Sequence, residues 1–342
     1  MEEINRKKIL GIWFMLGVGM LLGQILLGGI TRLTGSGLSI TEWKAILGFL
    51  PPMNEQEWNI VFIKYQQFGQ FKLQNTSMSL AQFKSIYFWE WFHRLWARLI
   101  AVAAVLPLIY FMIKKIVFKE DIIKIGIAIV LGGIAGLGGW MMVQSGLNQY
   151  SVLVNPINLM SHILVATIIV MYVLRVGLEY LYPKRSTTFD QSKRNLFLIL
   201  IILVFIQIAL GALVAGSKAA LVSTTWPLMD GYYFPKLFGI EETDIKLILQ
   251  FIHRNVAYLI FFFVVYIFFK TKTVSAAFQF HRTRWLLLCM IFVQLLLGIF
   301  TLLYSHGEVP IVLGVLHQFG AFLVLIFSIE GICKFELIFS GT

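Results

Sequence analysis

The stretch that decides the fold is FWEWFHRLWAR, residues 88–98. It begins a long apolar segment and places a carboxylate and an imidazole three residues apart. Residues at that spacing lie on one face of an α-helix, so Glu90 and His93 are predicted to point the same way. Ionisable side chains at this depth in a membrane helix are costly, which indicates a functional site.

A second stretch, LQFIHRNVAY at residues 249–258, repeats the His-Arg pair as His253 and Arg254. It also begins an apolar segment. In this copy Gln250 stands where the first copy has Glu90. Two related sites, only one of which carries an acid, indicate two different tasks.

The composition is that of a polytopic membrane protein. Of the 342 residues 58% are hydrophobic and 13% charged, and the mean hydropathy is +0.82. Such a chain is too apolar for an ordinary soluble domain. The hydropathy of successive windows of the sequence predicts eight spans, at roughly 9–30, 86–113, 122–143, 157–180, 194–215, 246–269, 285–304 and 309–333.

The net charge of +11 marks topology rather than a nucleic-acid surface. Lysine and arginine concentrate in one set of short connections, for example around Lys114 and Arg194, and are sparser in the longer loops on the other side. By the positive-inside rule the basic set is cytoplasmic, so both termini are predicted to lie inside. A nucleic-acid partner is not expected.

The order of features starts again after residue 183. Residues 207–211, QIALG, resemble residues 24–28, QILLG. We therefore predict an all-α protein of two pseudo-symmetric four-helix bundles, 1–183 and 184–342, related by an axis along the membrane normal. The long outer loop 31–85 is predicted to form short amphipathic helices that cover a site.

Small residues and thiols within the spans carry two further expectations. The third span is rich in glycine, which favours close approach of neighbouring helices. These glycines are Gly132, Gly133, Gly136, Gly138 and Gly139. The two cysteines, Cys289 and Cys333, also fall in spans, which predicts buried apolar thiols and no extracytoplasmic disulfide.

Four of the six histidines lie one to each even-numbered span, near the predicted outer face. His93 can face His162 in the first half, and His253 can face His317 in the second. Two imidazoles facing across a helical bundle suit the axial ligation of a haem iron. The alternative is four unrelated histidines held by hydrogen bonds in the core.

Other metals fit these residues less well. A zinc site needs a third nitrogen or sulfur ligand beside each pair, and the spans offer none. A di-iron carboxylate site needs several acids besides Glu90. His281 and His306 are predicted to lie outside the sites.

Glu90 has two interpretations. Beside an iron-binding His93 it could orient water, move protons or stabilise positive charge on a substituent carbon. Alternatively it is a structural carboxylate paired with Arg94 or Arg98. Arg94 and Arg254 could in turn meet haem propionates or extend to the membrane interface.

Several strings, in order from the first span to the eighth, resemble the heme A synthase family. They are GSGLSITEWK (35–44), LPP (50–52), FWEWFHR (88–94), GWMMVQSGL (139–147), TWPLMDG (225–231), FIHR (251–254) and LHQ (316–318).

The resemblance implies an oxidoreductase that converts a methyl group of heme O to the formyl group of heme A, with water as the oxygen source. It assigns His93 and His162 to the substrate haem, His253 and His317 to a resident heme b, and an essential role to Glu90. It also implies the bacterial cytoplasmic membrane, with membrane lipid, an electron donor, and heme O synthase or cytochrome oxidase assembly factors as partners.

The chain departs from the family pattern at two points. Some members carry a cysteine pair in the first outer loop, which this chain lacks. Many have an arginine where this chain has Asn158, so a propionate contact there is not expected.

Two other classes of function fit part of the pattern. A di-haem cytochrome that transfers electrons from quinol has no evident need for Glu90, and such proteins place two histidines on each of two helices. A haem transporter would have its site near the membrane midplane on broken helices. Haem analysis would separate all three.

Overall fold

The computed structural model describes residues 2–43, 48–182, 191–236, 242–272 and 278–338. These residues form α-helices joined by short loops and two single turns of 3-10 helix, Ser36–Leu38 and Ala219–Leu221. The helices are α1 (Glu2–Leu33), α2 (Glu55–Tyr65), α3 (Gly69–Gln74), α4 (Leu80–Ile113), α5 (Lys119–Gly146), α6 (Pro156–Leu181), α7 (Gln191–Gly216), α8 (Glu242–Lys270), α9 (Phe278–Leu303) and α10 (Ile311–Ile338).

Within the described ranges, eight of these helices, α1 and α4 to α10, are long and apolar enough to cross a membrane. This confirms the predicted all-α fold and its eight spans. α4 begins at Leu80 rather than near residue 86 because a capping box starts it there. The Ser79 side chain accepts from the Gln82 backbone N–H, and the Gln82 side chain accepts from the Ser79 N–H.

The spans contact one another both within and between the two predicted sets of four. In the first set, α1 contacts α4 and α6, and α5 contacts α6 and, over a short stretch, α4. In the second set, α7 and α9 each contact α8 and α10. α1, α6, α7 and α10 join the two sets. This arrangement is consistent with two four-helix halves. The predicted boundary between residues 183 and 184 lies outside the described residues.

The connection between α1 and α4 contains the predicted short helices, α2 and α3. It lies at what we call the loop end, the end of the bundle that also carries residues 217–236 and the 304–310 turn. Three buried aromatic side chains, Tyr65, Phe83 and Tyr87, pack this segment against α4. Tyr65 is 5.1 Å from Phe83 in a stacked pair, and burial raises the pKa of its hydroxyl. The first long loop is therefore a folded cover rather than a linker.

The structure corrects the prediction for the glycines of α5. A Cβ atom built at Gly132, Gly133 or Gly136 would meet nothing within 4 Å, so these glycines do not mediate close helix packing. Gly138 and Gly139 lie instead against the ring of His162. The reason is that α5 packs mainly on α6, so most of its surface faces outward.

The thiol prediction was half right. Cys333 is buried, as expected, and accepts a hydrogen bond from Arg175 at 2.8 Å. Cys289 is exposed on the surface of the bundle. The sequence gives the depth of a residue along a span more readily than the side of the helix that faces a neighbour.

The two halves differ in how tightly they enclose their centres. Only 6% of the most apolar stretch of α4 and of α5 is buried, against 22% in the corresponding helices α8 and α9. The first half is thus the more open of the two.

Candidate functional site

The four histidines of the even-numbered spans lie on α4, α6, α8 and α10, and each ring packs against a glycine of an adjacent helix. A Cβ atom built at these glycines would lie 2.9 to 3.2 Å from the imidazole Cε1, closer than ordinary van der Waals contact. The pairs are Gly28–His93, Gly139–His162, Gly211–His253 and Gly298–His317. The glycines make room for the rings, so the same packing solution occurs four times.

His253 and His317 face each other in the second half. Their ring centroids are 6.3 Å apart and the ring planes are nearly perpendicular, at 84°. Two imidazoles bound to one metal at about 2 Å per bond, with each ring centre about 1 Å behind its nitrogen, have centroids roughly 6 Å apart. The spacing therefore fits a shared metal ion.

A cavity of about 670 Å³ surrounds this pair. Its lining is mostly apolar, comes from both halves of the chain, and includes amide and hydroxyl side chains, one acid, Glu308, and three cations, Arg32, Lys218 and Arg254. A pocket of this size and character suits a flat, largely apolar cofactor with a charged edge.

The cations offer unused donors toward such an edge. The Nε atoms of Arg32 and Arg254 and the Nη1 of Arg254 are buried without a partner among the described residues. Each arginine holds one backbone carbonyl, Ala215 for Arg32 at 2.9 Å and Ser223 for Arg254 at 3.2 Å. Buried arginine donors without acceptors are costly, so carboxylate groups of a haem fit here.

The sequence analysis did not identify Arg32 as a site residue. It lies in the last turn of α1, yet its side chain crosses into the cavity of the second half. The feature of the sequence that could have identified it is the position of Arg32 at the end of an apolar span. The sequence did identify Arg254.

His93 and His162 lie on α4 and α6 of the first half, against Gly28 and Gly139. Their Nδ1 atoms are both buried without a partner among the described residues. A buried ring nitrogen without a hydrogen-bond partner is available to bind a metal ion. Within the described ranges no group of three or more His, Cys, Asp or Glu side chains could hold a metal ion.

Glu90 is 2% exposed and fully hydrogen-bonded. Its Oε1 accepts from Arg94 at 2.5 Å, and its Oε2 accepts from the Ser39 hydroxyl at 2.8 Å and the Ile40 N–H at 2.7 Å. Arg94 donates in addition to the carbonyls of Ile40 and Glu42, at 3.0 Å each. Glu90 and Arg94 therefore anchor the loop after α1 to α4, as the structural alternative expects.

Gln250 occupies the corresponding place in the second half. Its amide donates to the Ser223 carbonyl at 2.8 Å, so it too anchors the segment that follows the preceding span. What differs is the charge, since Gln250 is neutral, and the Nε and Nη1 atoms of Arg254 have no hydrogen-bond partner among the described residues. Arg94 donates its hydrogen bonds to Glu90 and the loop. A contact with a haem propionate therefore fits Arg254 and not Arg94.

The tightest glycine–imidazole contact provides a test of the packing. Gly298→Ala puts a Cβ 2.9 Å from Cε1 of His317, so the ring must shift and haem retention should fall. Overpacking of this kind costs about 1–3 kcal/mol. Gly132→Ala, which meets nothing within 4 Å, is the matched control and should retain haem normally. Equal haem content in the two purified variants would contradict the proposed contact.

The eight apolar helices of the described ranges define a polytopic membrane protein, and its imidazoles and cation-bearing pocket would suit a haem. The family model for cytochrome oxidase assembly protein, COX15-CtaA, matches residues 11–329.

Curated relatives give the same result. A protein named heme A synthase from Bartonella henselae is 39% identical over 96% of this chain and 92% of its own length. Others of that name, from Flavobacterium psychrophilum and Parvibaculum lavamentivorans, are 37% and 39% identical over 94% and 91% of this chain and 96% and 90% of their own lengths. The chain therefore belongs to the COX15-CtaA family, and it is similar to proteins named heme A synthase.

Proposed function

We propose that this chain is a heme A synthase, an oxidoreductase that converts a methyl substituent of heme O to the formyl group of heme A. The observation that carries the proposal is the asymmetry of two otherwise matched sites. Both have two imidazoles backed by glycines, but among the described residues a buried carboxylate one helical turn before a histidine occurs only in the first. A pure electron carrier has no need for this difference, whereas an enzyme with one substrate haem and one cofactor haem does.

The first half, residues 1–183, holds the substrate in this proposal. His93 and His162 are the ligands of the heme O iron. Converting the methyl group with water as oxygen source is R–CH₃ + H₂O → R–CHO + 4 H⁺ + 4 e⁻, so the site must move protons and release electrons. The electrons leave to a membrane electron carrier.

The second half, residues 184–342, holds the cofactor. His253 and His317 would bind a resident heme b, and Arg32 and Arg254 its propionates. When bound, this haem supplies one-electron transfer. The protein holds the ligands at the required spacing and lines the pocket with apolar side chains, which limits water.

Glu90 is the proposed catalytic group of the first half. It lies one helical turn from His93 on the same helix, and Arg94 and the loop hold its orientation. A carboxylate fixed in this way can stabilise positive charge that develops on the substituent carbon and can accept a proton. Its contacts with Ser39 and Ile40 couple the site to the loop that covers it.

Haem extraction tests the proposed function. The full chain is expressed in cells that make heme O but no heme A, and the extracted haems are separated by chromatography. We expect heme A. Retention of the cell's existing haems alone would indicate a di-haem cytochrome, and the absence of tightly bound haem would indicate a transporter; either result would overturn the proposal.

We further propose that both termini are cytoplasmic and that the loop end faces outward, in the bacterial cytoplasmic membrane. The test uses a chain with Cys289→Ala and Cys333→Ala. A single new thiol is placed at the loop end, Glu308→Cys, or at the opposite end, Lys272→Cys. A membrane-impermeant maleimide should label the first in intact spheroplasts and the second only after lysis. The reverse pattern would invert the topology.

A further inference from the structure

The glycines that back the histidine rings are part of a longer pattern. In three of the four helices that carry them, a glutamine stands four residues, about one helical turn, before the glycine. These pairs are Gln24–Gly28, Gln207–Gly211 and Gln294–Gly298. In α5 the corresponding pair is Ala135–Gly139.

Each glutamine reaches the same imidazole as its glycine. The distances from the glutamine Nε2 are 3.1 Å to Nε2 of His93 for Gln24, 3.5 Å to Nε2 of His253 for Gln207, and 3.2 Å to Nδ1 of His317 for Gln294. Gln207 and Gln294 also donate to the backbone carbonyl of their histidine, at 2.9 Å in both cases. Gln24 contacts the ring of His93 alone.

The amide oxygen of Gln24 is buried and has no partner among the described residues. Turning the amide by 180° exchanges its nitrogen and oxygen, and brings that oxygen to the ring of His93. A neutral imidazole bound to a metal through one nitrogen has a single N–H left, which needs an acceptor. The unpartnered oxygen of Gln24 is placed to be that acceptor.

His162 is supported in a different way. Ala135 stands where the other helices have glutamine, and its backbone, not its side chain, is within hydrogen-bond reach of the His162 ring. The side-chain contact that Gln24 makes with His93 is therefore not repeated at the other imidazole of the first half.

We propose that Gln24 is a positioning residue, which accepts the hydrogen bond of the His93 ring N–H and so orients this imidazole toward the iron of the substrate haem. The inference rests on the proposed function.

The first test uses the midpoint potentials of the purified full-length protein. An acceptor on the ring N–H makes an imidazole more basic and favours oxidised iron, so it lowers the potential. Gln24→Met, of similar length but without an acceptor, should raise the potential of one haem and weaken its retention about 10–100-fold. Gln24→Glu, a stronger acceptor, should lower the same potential. Gln207→Met is the matched control and should move the other haem.

Opposite shifts from the two Gln24 variants are the signature of a hydrogen bond to the ligand. Shifts in the same direction, or none, would overturn the proposal, because a merely structural glutamine does not distinguish an acid from a thioether in this way. If Gln24→Met does not accumulate, the direction of the shift in Gln24→Glu decides alone.

The second test measures haem content. His93→Ala should lose the substrate haem, and the haem of the second half reports that the variant has folded. Retention of the substrate haem by His93→Ala would overturn the role given to Gln24. Wild-type protein that binds no haem would instead overturn the proposed function itself.

Discussion

Replacing Glu90 by glutamine is expected to lower heme A formation by about 10²–10⁴-fold while both haems stay bound. Glutamine has nearly the same shape, and its amide oxygen can still accept from Ser39 and Ile40, so the loop stays anchored. What is lost is the negative charge and its pairing with Arg94. The measurements are heme A content by chromatography and haem per chain by absorbance.

The control separates charge from anchoring. Ser39→Ala removes one of the three hydrogen bonds to Glu90 and leaves its charge in place. We expect a few-fold effect at most, since a single hydrogen bond contributes about 0.5–1.5 kcal/mol. If Glu90→Gln forms heme A at the normal rate, the residue serves only to hold the loop and the catalytic assignment is wrong.

His317→Ala is expected to abolish heme A formation and to remove the haem of the second half. The facing ring of His253 lies at a centroid distance of 6.3 Å, so the pair is spaced for one shared iron, and a single imidazole cannot supply both axial bonds. The readouts are loss of the low-spin spectrum of one haem and loss of product. The haem of the first half should remain.

The matched control is a histidine at the loop end that faces solvent. His306 is exposed in the turn between α9 and α10, where its backbone forms a β-bridge with Glu308, and it does not line the cavity around His253 and His317. His306→Ala should retain both haems and normal heme A formation. Loss of haem from this variant, or a normal spectrum from His317→Ala, would contradict the assignment of the second pair.

For Glu90 and His93 the sequence predicted the helix face but not the contacts. Their spacing placed both on one face of a helix at the start of a span, and this could be read from the sequence because helical periodicity is local. The partners of Glu90 could not, because Ser39 and Ile40 are 51 and 50 residues distant along the chain. The same holds for Arg32, whose span is in the first half and whose side chain lines the cavity of the second.

For the three glutamines the sequence showed a repeated pattern but not its role. Residues 24–28 and 207–211 were recognised as a repeat, but their function was not, and the third copy at 294–298 was overlooked. A glutamine in an apolar span is compatible with many roles until its neighbour is known. Only the packing of α1 on α4 and of α9 on α10 shows that each amide meets an imidazole.

By itself the sequence determined the eight spans, the helical fold, and the four histidines at corresponding places in them. Apolar length, helical period and charge bias act along the chain, so they are legible without a structure. Only the tertiary structure decided which faces of the helices are exposed, where the arginine donors point, and which imidazoles have a glutamine side chain against them. These depend on contacts between spans, where side chains distant in sequence compete for the same small volume in a close-packed bundle.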